Sequence, residues 1–172
     1  MSILEKLAKY HKSDKLGAHN YISIYEKYMI SKKNKQVNLL EIGIGGYIDG
    51  NYSNELIGGN SLRIWRDYFK KGKIAGLDIY KKKLNLGNRV KIFQGSQNSA
   101  ESLDKIIKKY RKFDFIIDDG SHFYKDIVFS FKYLFESLKE GGYYFIEDTQ
   151  TSYLREFKGD GFYLNNNKTA IN

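Results

Sequence analysis

Short hydrophobic segments that end in acidic residues alternate along this chain with segments of helical periodicity. Residues 37–43 read as a buried strand running into a glycine-rich loop, and residues 73–78 and 89–93 read as two more strands. Two further strands are predicted to end at Asp119 and Asp148. Strands that alternate with helices favour right-handed crossovers and a parallel sheet covered on both faces. The predicted fold class is therefore α/β, with a Rossmann-like parallel sheet.

The helices are predicted from apolar residues spaced three and four apart. The last of them carries Ile127 and Leu138 and is expected to stop at Gly141-Gly142, because glycine commonly ends helices. In an open parallel sheet, ligands bind beyond the carboxyl ends of the strands, near the point where strand order reverses. We therefore look for a functional site among the residues that follow the strands.

Composition limits the class of protein. The chain has 172 residues, long enough for one domain with a real core, and no cysteine, which excludes disulfides and thiolate metal sites. No apolar run approaches the length of a membrane span, and no signal peptide is recognised, so we predict a cytoplasmic location. The net charge of +9 comes almost entirely from lysine. Short lysine clusters favour a solvated surface over a polyanion-binding or membrane-binding one.

The loop after the first strand, Glu41-Ile42-Gly43-Ile44-Gly45-Gly46, is rich in glycine. Glycine lets the backbone turn sharply and approach a ligand closely, although a purely structural turn is an equally good interpretation. Asp78 ends the second strand, where a carboxylate can accept both hydroxyls of a ribose. Together these features favour a nucleoside-type cofactor. Ser96 and Gln97, at the end of the third strand, are placed to contact its base.

Two strand ends carry paired acids, Asp118-Asp119 and Glu147-Asp148. Neighbouring parallel strands lie about 5 Å apart, so these carboxylates would repel one another unless a divalent cation or shared protons compensated them. The alternative is a set of capping and surface acids. His122 follows Asp119 by three residues, and an imidazole can accept a hydroxyl proton near neutral pH. The pattern therefore predicts a metal site beside a general base.

At these residues the chain resembles class I S-adenosylmethionine-dependent methyltransferases, and more narrowly the metal-dependent sugar O-methyltransferases of macrolide and polyketide tailoring. The strings that carry the resemblance are Asp14-Lys15-x-Gly17-x-His19-x-Tyr21, the first glycine motif, Gly58-Gly59-Asn60-Ser61-Leu62-Arg63-x-Trp65, Gly76-Leu77-Asp78-Ile79, Gly95-Ser96-Gln97, Ile117-Asp118-Asp119-Gly120-Ser121-His122 and Ile146-Glu147-Asp148-Thr149-Gln150-Thr151-Ser152-Tyr153. Catechol O-methyltransferases look similar at the same strand ends.

The resemblance implies a role for each matching residue. Asp119, Glu147 and Asp148 would bind Mg²⁺, and His122 would be the base. The residues around S-adenosylmethionine would be Glu41, Gly43, Gly45, Ser61, Asp78, Ser96, Gln97 and Asp118. Residues 1–36 are then expected to form an N-terminal helical segment, and residues 37–172 the S-adenosylmethionine-binding methyltransferase domain. Members of the family continue into two more strands, so the chain is expected to be a C-terminally shortened form with an exposed fifth strand.

The leading function is a Mg²⁺-dependent O-methyltransferase for a sugar or glycosylated natural product, in polysaccharide or antibiotic biosynthesis. Its expected partner is a small-molecule or glycan acceptor, with no specific nucleic acid and with homo-oligomers possible through the exposed strand. Three alternatives stay open. They are an inactive remnant that binds cofactor or a partner, a cephalosporin-hydroxylase-like enzyme of the same fold, and an RNA-binding protein that uses the lysine surface.

Overall fold

The computed structural model describes residues 1–17, 19–46, 57–154 and 157. The helices are α1 (Ile3–Tyr10), α2 (Ile22–Met29), α3 (Asn60–Tyr68), α4 (Ala100–Tyr110) and α5 (Tyr124–Phe135). The strands are β1 (Asn38–Ile42), β2 (Lys73–Asp78), β3 (Val90–Gln94), β4 (Phe113–Asp118) and β5 (Leu138–Ile146), and 3₁₀ turns cover Ile30–Lys32 and Thr149–Tyr153. Among the described helices, none has the length and hydropathy that a membrane span requires.

The five strands form one parallel sheet in the order β3-β2-β1-β4-β5. The chain builds the sheet outward from β1 to β3 and then returns to the other side of β1, so strand order reverses between β1 and β4. In the register of that pair, Ile42 lies opposite Asp118. Both strands therefore end at the same level, and the helices that follow them, α3 and α5, pack on opposite faces of the sheet. Such a reversal opens a crevice at the carboxyl edge of the sheet.

Each strand sends alternate side chains to opposite faces of the sheet, and both faces are buried. On one face, Leu39 and Phe115 pack with Trp65 of α3 and with the first two helices. On the other, Leu40 and Ile116 belong to a second cluster of buried residues that includes Leu103 and Ile106 of α4 and Leu134 of α5. Helices on both faces were predicted from the alternation of elements, and this prediction is confirmed.

The first two helices share a core with the sheet. Ser2 caps α1 in a capping box with Glu5, which fixes where that helix begins. Leu4 from α1 and Tyr25 from α2 are buried in the same cluster as Trp65. The segment before β1 is therefore packed onto the sheet, in contact with the helix that precedes β2.

The predicted end of the last helix is wrong. Helix α5 ends at Phe135, and β5 already begins at Leu138, which pairs with Phe113. Residue Phe115 pairs with Tyr143, so β5 carries extra residues between these two positions. Gly141, with φ of +65°, lies within this bulge. The two glycines that suggested a helix end instead permit an irregularity inside a strand, a position where glycine is also common.

An ionic contact joins the end of α1 to α3. His11 Nε2 lies 2.8 Å from Asp67 Oδ2, and Arg66 Nε donates to Asp67 Oδ1 at 2.9 Å. The hydrogen bond from Arg66 lowers the pKa of Asp67 to about 2, and the contact with His11 acts in the same direction. The ionised carboxylate therefore stabilises the packing of the N-terminal segment.

We expect Asp67→Asn to reduce the free energy of unfolding by about 1–2 kcal/mol near neutral pH. The folded pKa lies below the ordinary value, so the stabilisation is present above about pH 4 and is lost as the pH falls toward about 2. Urea unfolding of both proteins across this range measures it. The difference should shrink on acidification, and Glu140→Gln, a change at an exposed acid of β5, should show no such trend.

Candidate active site

A cleft of about 510 Å³ lies at the carboxyl edge of the sheet, over the reversal between β1 and β4. It brings together predicted cofactor, metal and base positions from five separate stretches of the chain. The predicted residues that line it are Gly43, Gly45, Asp78, Ser96, Gln97, Asp119, His122 and Asp148. Glu41, Ser61, Asp118 and Glu147 do not line this cleft.

The glycine loop touches the end of β4. Gly43 has φ of +76°, and a Cβ there would collide with the backbone carbonyl of Asp119. Its N–H donates to Leu77 O at 2.8 Å, which holds the loop over β2 as well. Only glycine meets both the left-handed conformation and the close approach. At Gly43 and Gly45 the loop therefore lines the cleft with backbone atoms and no side chain.

Asp78 is held by backbone donors at the rim of the same cleft. Its Oδ2 accepts from Ile44 N–H at 3.2 Å, and its Oδ1 accepts from Tyr80 N–H at 2.8 Å. Lys82 Nζ lies 3.4 Å from Oδ2. These contacts orient the carboxylate and leave it lining the cleft.

Gln97 is positioned by a buried network on the other side of the sheet. Its Nε2 donates to Asp118 Oδ1 at 3.1 Å, and its Oε1 accepts from Ser121 N–H at 2.6 Å. Asp118 also accepts from Ser130 and from Tyr144, and burial raises its pKa to about 6. Asp118 is enclosed by these partners. Through Gln97, which does line the cleft, Asp118 positions a side chain at the predicted cofactor site.

Glu41 is similarly enclosed. Its Oε2 accepts from Ser61 Oγ at 2.8 Å and from Trp65 Nε1 at 3.0 Å, and the side chain is fully buried. Burial raises the pKa of Glu41 to about 8, against the opposing charge of Lys15. Ser61 lines a small cavity of about 30 Å³ that also touches Gly43 and Asp119. Glu41 thus lies behind Ser61.

Three side chains that line the cleft bring ligand atoms close together. Asp119, His122 and Asp148 each offer one atom, and these atoms lie within 4.8 Å of one another. His122 Nε2 is 3.9 Å from Asp119 Oδ1 and 3.9 Å from Asp148 Oδ2. Two carboxylate oxygens within 4.8 Å of each other suit a hard divalent cation. The donor set therefore fits a metal ion.

Glu147 is not part of that group. Its Oε1 accepts from Lys15 Nζ at 2.7 Å and from the hydroxyl of Tyr25, and the residue is 4% exposed. Burial raises its pKa to about 7, with Lys15 acting in the opposite direction. Asp119 and Glu147 are neighbours, as predicted, but in this structure they meet through an ammonium group.

Lys15 is the main residue that the sequence analysis left without a role. Its Nζ donates to Asp119 Oδ2 at 2.6 Å, lies 3.5 Å from Glu41 Oε1, and is 3% exposed. Burial alone would lower the pKa of Lys15, but the surrounding carboxylates raise it well above its ordinary value. Lys15 stands in one of the strings that carry the family resemblance. Its ion pairs join distant parts of the chain, which periodicity does not reveal.

Two of the three residues Asp119, His122 and Asp148 have left-handed backbones. His122 has φ of 60° and Asp148 has φ of 51°, a conformation that costs energy without glycine. Thr151 links them, since its Oγ1 lies 3.0 Å from His122 O and 2.7 Å from Asp148 O. Strained backbone of this kind concentrates at functional sites, where surrounding contacts hold it in place.

We expect Gly43→Ala to lower the thermal midpoint of unfolding far more than Gly87→Ala. Both glycines have positive φ, so an alanine carries the same left-handed cost of about 1–2 kcal/mol at either position. Only Gly43 adds a collision with Asp119, since nothing lies within 4 Å of a Cβ at Gly87. Calorimetric scans of the two variants measure the difference, and equal shifts would contradict the close approach.

Comparisons with known proteins give sugar O-methyltransferases of antibiotic pathways. The chain is 40% identical over 157 residues to the mycinamicin VI 2''-O-methyltransferase of Micromonospora griseorubida, covering 91% of this chain and 38% of that protein. It is 37% identical over 169 residues to the 8-demethyl-8-(2-methoxy-alpha-L-rhamnosyl)-tetracenomycin-C 3'-O-methyltransferase of Streptomyces olivaceus. That match covers 98% of this chain and 42% of the relative. The chain therefore spans about two fifths of the length of these relatives. No family model matches the chain.

Solved structures agree with this result. The MycE methyltransferase from the mycinamycin biosynthetic pathway, in complex with Mg, SAH and mycinamycin VI, superposes with a TM-score of 0.89 at 37% identity, over 99% of this chain and 43% of that one. CalS11, a TDP-rhamnose 3'-O-methyltransferase of calicheamicin biosynthesis, superposes with a TM-score of 0.52 at 9% identity. The match covers 84% of this chain and 76% of CalS11, and at this identity it shows a shared fold alone. The homologues of this chain are sugar O-methyltransferases, as the resemblance predicted, and the predicted fold class is confirmed.

Proposed function

We propose that this chain carries the cofactor and metal site of a Mg²⁺-dependent, S-adenosylmethionine-dependent O-methyltransferase that acts on a sugar hydroxyl. The observation that carries the proposal is the cleft itself. A bare glycine loop and Asp78 lie in one part of it, and Asp119, His122 and Asp148 lie in another. A methyl donor and a cation-bound acceptor need these two halves side by side.

The first half supports a nucleoside-type cofactor. Gly43 and Gly45 line the cleft with backbone and carry no side chain, so a ligand can lie directly against the loop. Asp78 is a carboxylate oriented by two backbone N–H groups, suited to accept hydrogen bonds from ribose hydroxyls. Ser96 and Gln97 line the same region, where the base of the cofactor would lie.

The second half supports a hard cation held by oxygen atoms. Mg²⁺ prefers oxygen ligands, and Asp119 and Asp148 each place a carboxylate oxygen within 4.8 Å of the other. Glu147 completes the proposed ligand set if its carboxylate turns from Lys15. When bound there, the cation would supply Lewis-acid polarisation of an acceptor hydroxyl.

His122 is left for proton transfer in this arrangement. Its imidazole lines the cleft beside both carboxylates and is partly exposed, so a substrate hydroxyl can reach it. We propose that Nε2 accepts the hydroxyl proton as the oxygen attacks the methyl group. The positive charge of the sulfonium disappears in the transfer, so the remaining work of the site is to orient the reactants and exclude water.

The proposed acceptor is a glycosylated small molecule or glycan, in antibiotic or polysaccharide biosynthesis. The support is the activity of the relatives, which are O-methyltransferases of mycinamicin VI and of a rhamnosyl tetracenomycin C. Transfer of tritium from [methyl-³H]S-adenosylmethionine to mycinamicin VI or to rhamnosylated tetracenomycin C tests the activity. We expect incorporation that depends on Mg²⁺ and stops with EDTA. Failure of the protein to bind the cofactor more tightly than adenosine diphosphate would overturn the proposal.

Substitutions in the two halves of the cleft should affect the binding of different ligands. We expect Asp78→Asn to weaken binding of S-adenosylhomocysteine about tenfold, the loss of one charged hydrogen bond, while Mn²⁺ affinity stays within about twofold. Asp119→Asn should do the reverse. Isothermal titration with each ligand alone measures both, and either variant losing both ligands equally, at an unchanged thermal midpoint, would contradict the division.

We expect His122→Gln to reduce kcat for methyl transfer by about 10²–10⁴-fold, because an amide does not accept the hydroxyl proton. Affinity for S-adenosylhomocysteine and the thermal midpoint should stay unchanged, since the variant keeps a polar side chain of similar size. Single-turnover kinetics with the tritiated donor give the rate. A variant that retains the full rate would remove His122 from the role of base.

A further inference from the structure

The carboxylates of Asp119 and Asp148 are each held on one side by the N-terminal segment. Asp119 Oδ2 accepts from Lys15 Nζ at 2.6 Å, whereas its Oδ1 faces His122. Asp148 Oδ1 accepts from Tyr21 OH at 2.7 Å, whereas its Oδ2 faces His122. One oxygen of each pair is therefore occupied, and the other is directed into the cleft.

Tyr21 fixes more than one atom of Asp148. Its hydroxyl donates to the carboxylate and accepts from the Asp148 backbone N–H at 3.1 Å. The ring stacks on His19, with centroids 5.6 Å apart and an interplanar angle of 17°. His19 Nδ1 itself lies 3.5 Å from Asp148 Oδ1. The hydroxyl thus closes a small ring with Asp148, which determines the orientation of that side chain in its left-handed position.

Lys15 and Tyr21 form one unit of the chain. The carbonyl of Lys15 accepts from Tyr21 N–H at 3.0 Å and from Ile22 N–H at 3.3 Å, where α2 begins. The ammonium group of Lys15 is anchored from behind by Glu147 at 2.7 Å and Glu41 at 3.5 Å. A shift of this turn would therefore move the partners of both carboxylates together.

We propose that Lys15 and Tyr21 are positioning residues of the divalent-cation site. Each fixes one oxygen of a carboxylate and so presents the other oxygen to the cation. The inference rests on the proposed function, because it assumes that Asp119 and Asp148 bind a cation. It adds that the segment before the first strand builds this site. Residues that orient metal ligands commonly change metal affinity by about 10–100-fold when they are replaced.

The test is Mn²⁺ binding to the full chain, measured by isothermal titration and by electron paramagnetic resonance. Tyr21→Phe removes only the hydroxyl, and Lys15→Arg keeps the charge but replaces a point donor with a bulkier planar fork. We expect each to weaken Mn²⁺ binding about tenfold or more and to broaden the resonance of the bound ion. Tyr10→Phe and Lys9→Arg, at exposed positions of α1, are the matched controls and should bind as the wild type does.

Affinity for S-adenosylhomocysteine and the thermal midpoint of the metal-free protein show whether a variant is folded, and Tyr21→Phe should leave both unchanged. Wild-type affinity in folded Tyr21→Phe and Lys15→Arg would overturn the inference and leave the proposed function standing. A wild-type protein that binds neither Mn²⁺ nor S-adenosylhomocysteine would instead end the proposed function. Lys15→Met should bind Mn²⁺ no more tightly than the wild type. Tighter binding would show that the ammonium competes with the cation, which overturns the role assigned to Lys15.

Discussion

The buried ammonium group of Lys15 is the interaction on which the site depends. It contacts Asp119, Glu147 and Glu41, which follow or lie in three different strands, β4, β5 and β1. Three carboxylates this close would otherwise repel one another at the carboxyl edge of the sheet, where little water can screen them. The N-terminal segment therefore supplies the charge that lets these strand ends come together, as well as part of the hydrophobic core.

Burial divides the acids of the strand ends into two groups. Glu41, Asp118 and Glu147 are enclosed, and burial raises the pKa of each, to about 8, 6 and 7. Asp119 and Asp148 line the cleft, and hydrogen bonds from Gln150 and Tyr21 lower the pKa of Asp148 in spite of its partial burial. The enclosed acids hold other residues in place, and the cleft-facing acids are available to a ligand.

The sequence predicted the parallel sheet and its edge well because both depend on local pattern. Hydrophobic strands ending in acids are visible along the chain, and the pairing of β4 with β5 follows from their order. The direction of a side chain at a strand end is not local. Asp118 and Asp119 are adjacent, yet alternation along the strand sends one into a network with Ser130 and leaves the other in the cleft. The bulge in β5 escaped prediction for a related reason, since the same glycine pair serves a helix end or a strand irregularity.

Glu147 shows how this division bears on the proposed metal site. The resemblance assigns it to the ligand set, whereas its carboxylate is occupied by Lys15 and Tyr25. Two arrangements would reconcile these facts. Either Asp119 and Asp148 would hold the cation with Glu147 behind them, or Glu147 would turn and release Lys15. The second leaves a buried ammonium with fewer partners, which costs free energy unless Glu41 takes up the contact. Glu41 Oε1 lies 3.5 Å from Lys15 Nζ and has no hydrogen-bond partner among the described residues. A small shift would therefore let Glu41 replace Glu147 as the partner of the ammonium group.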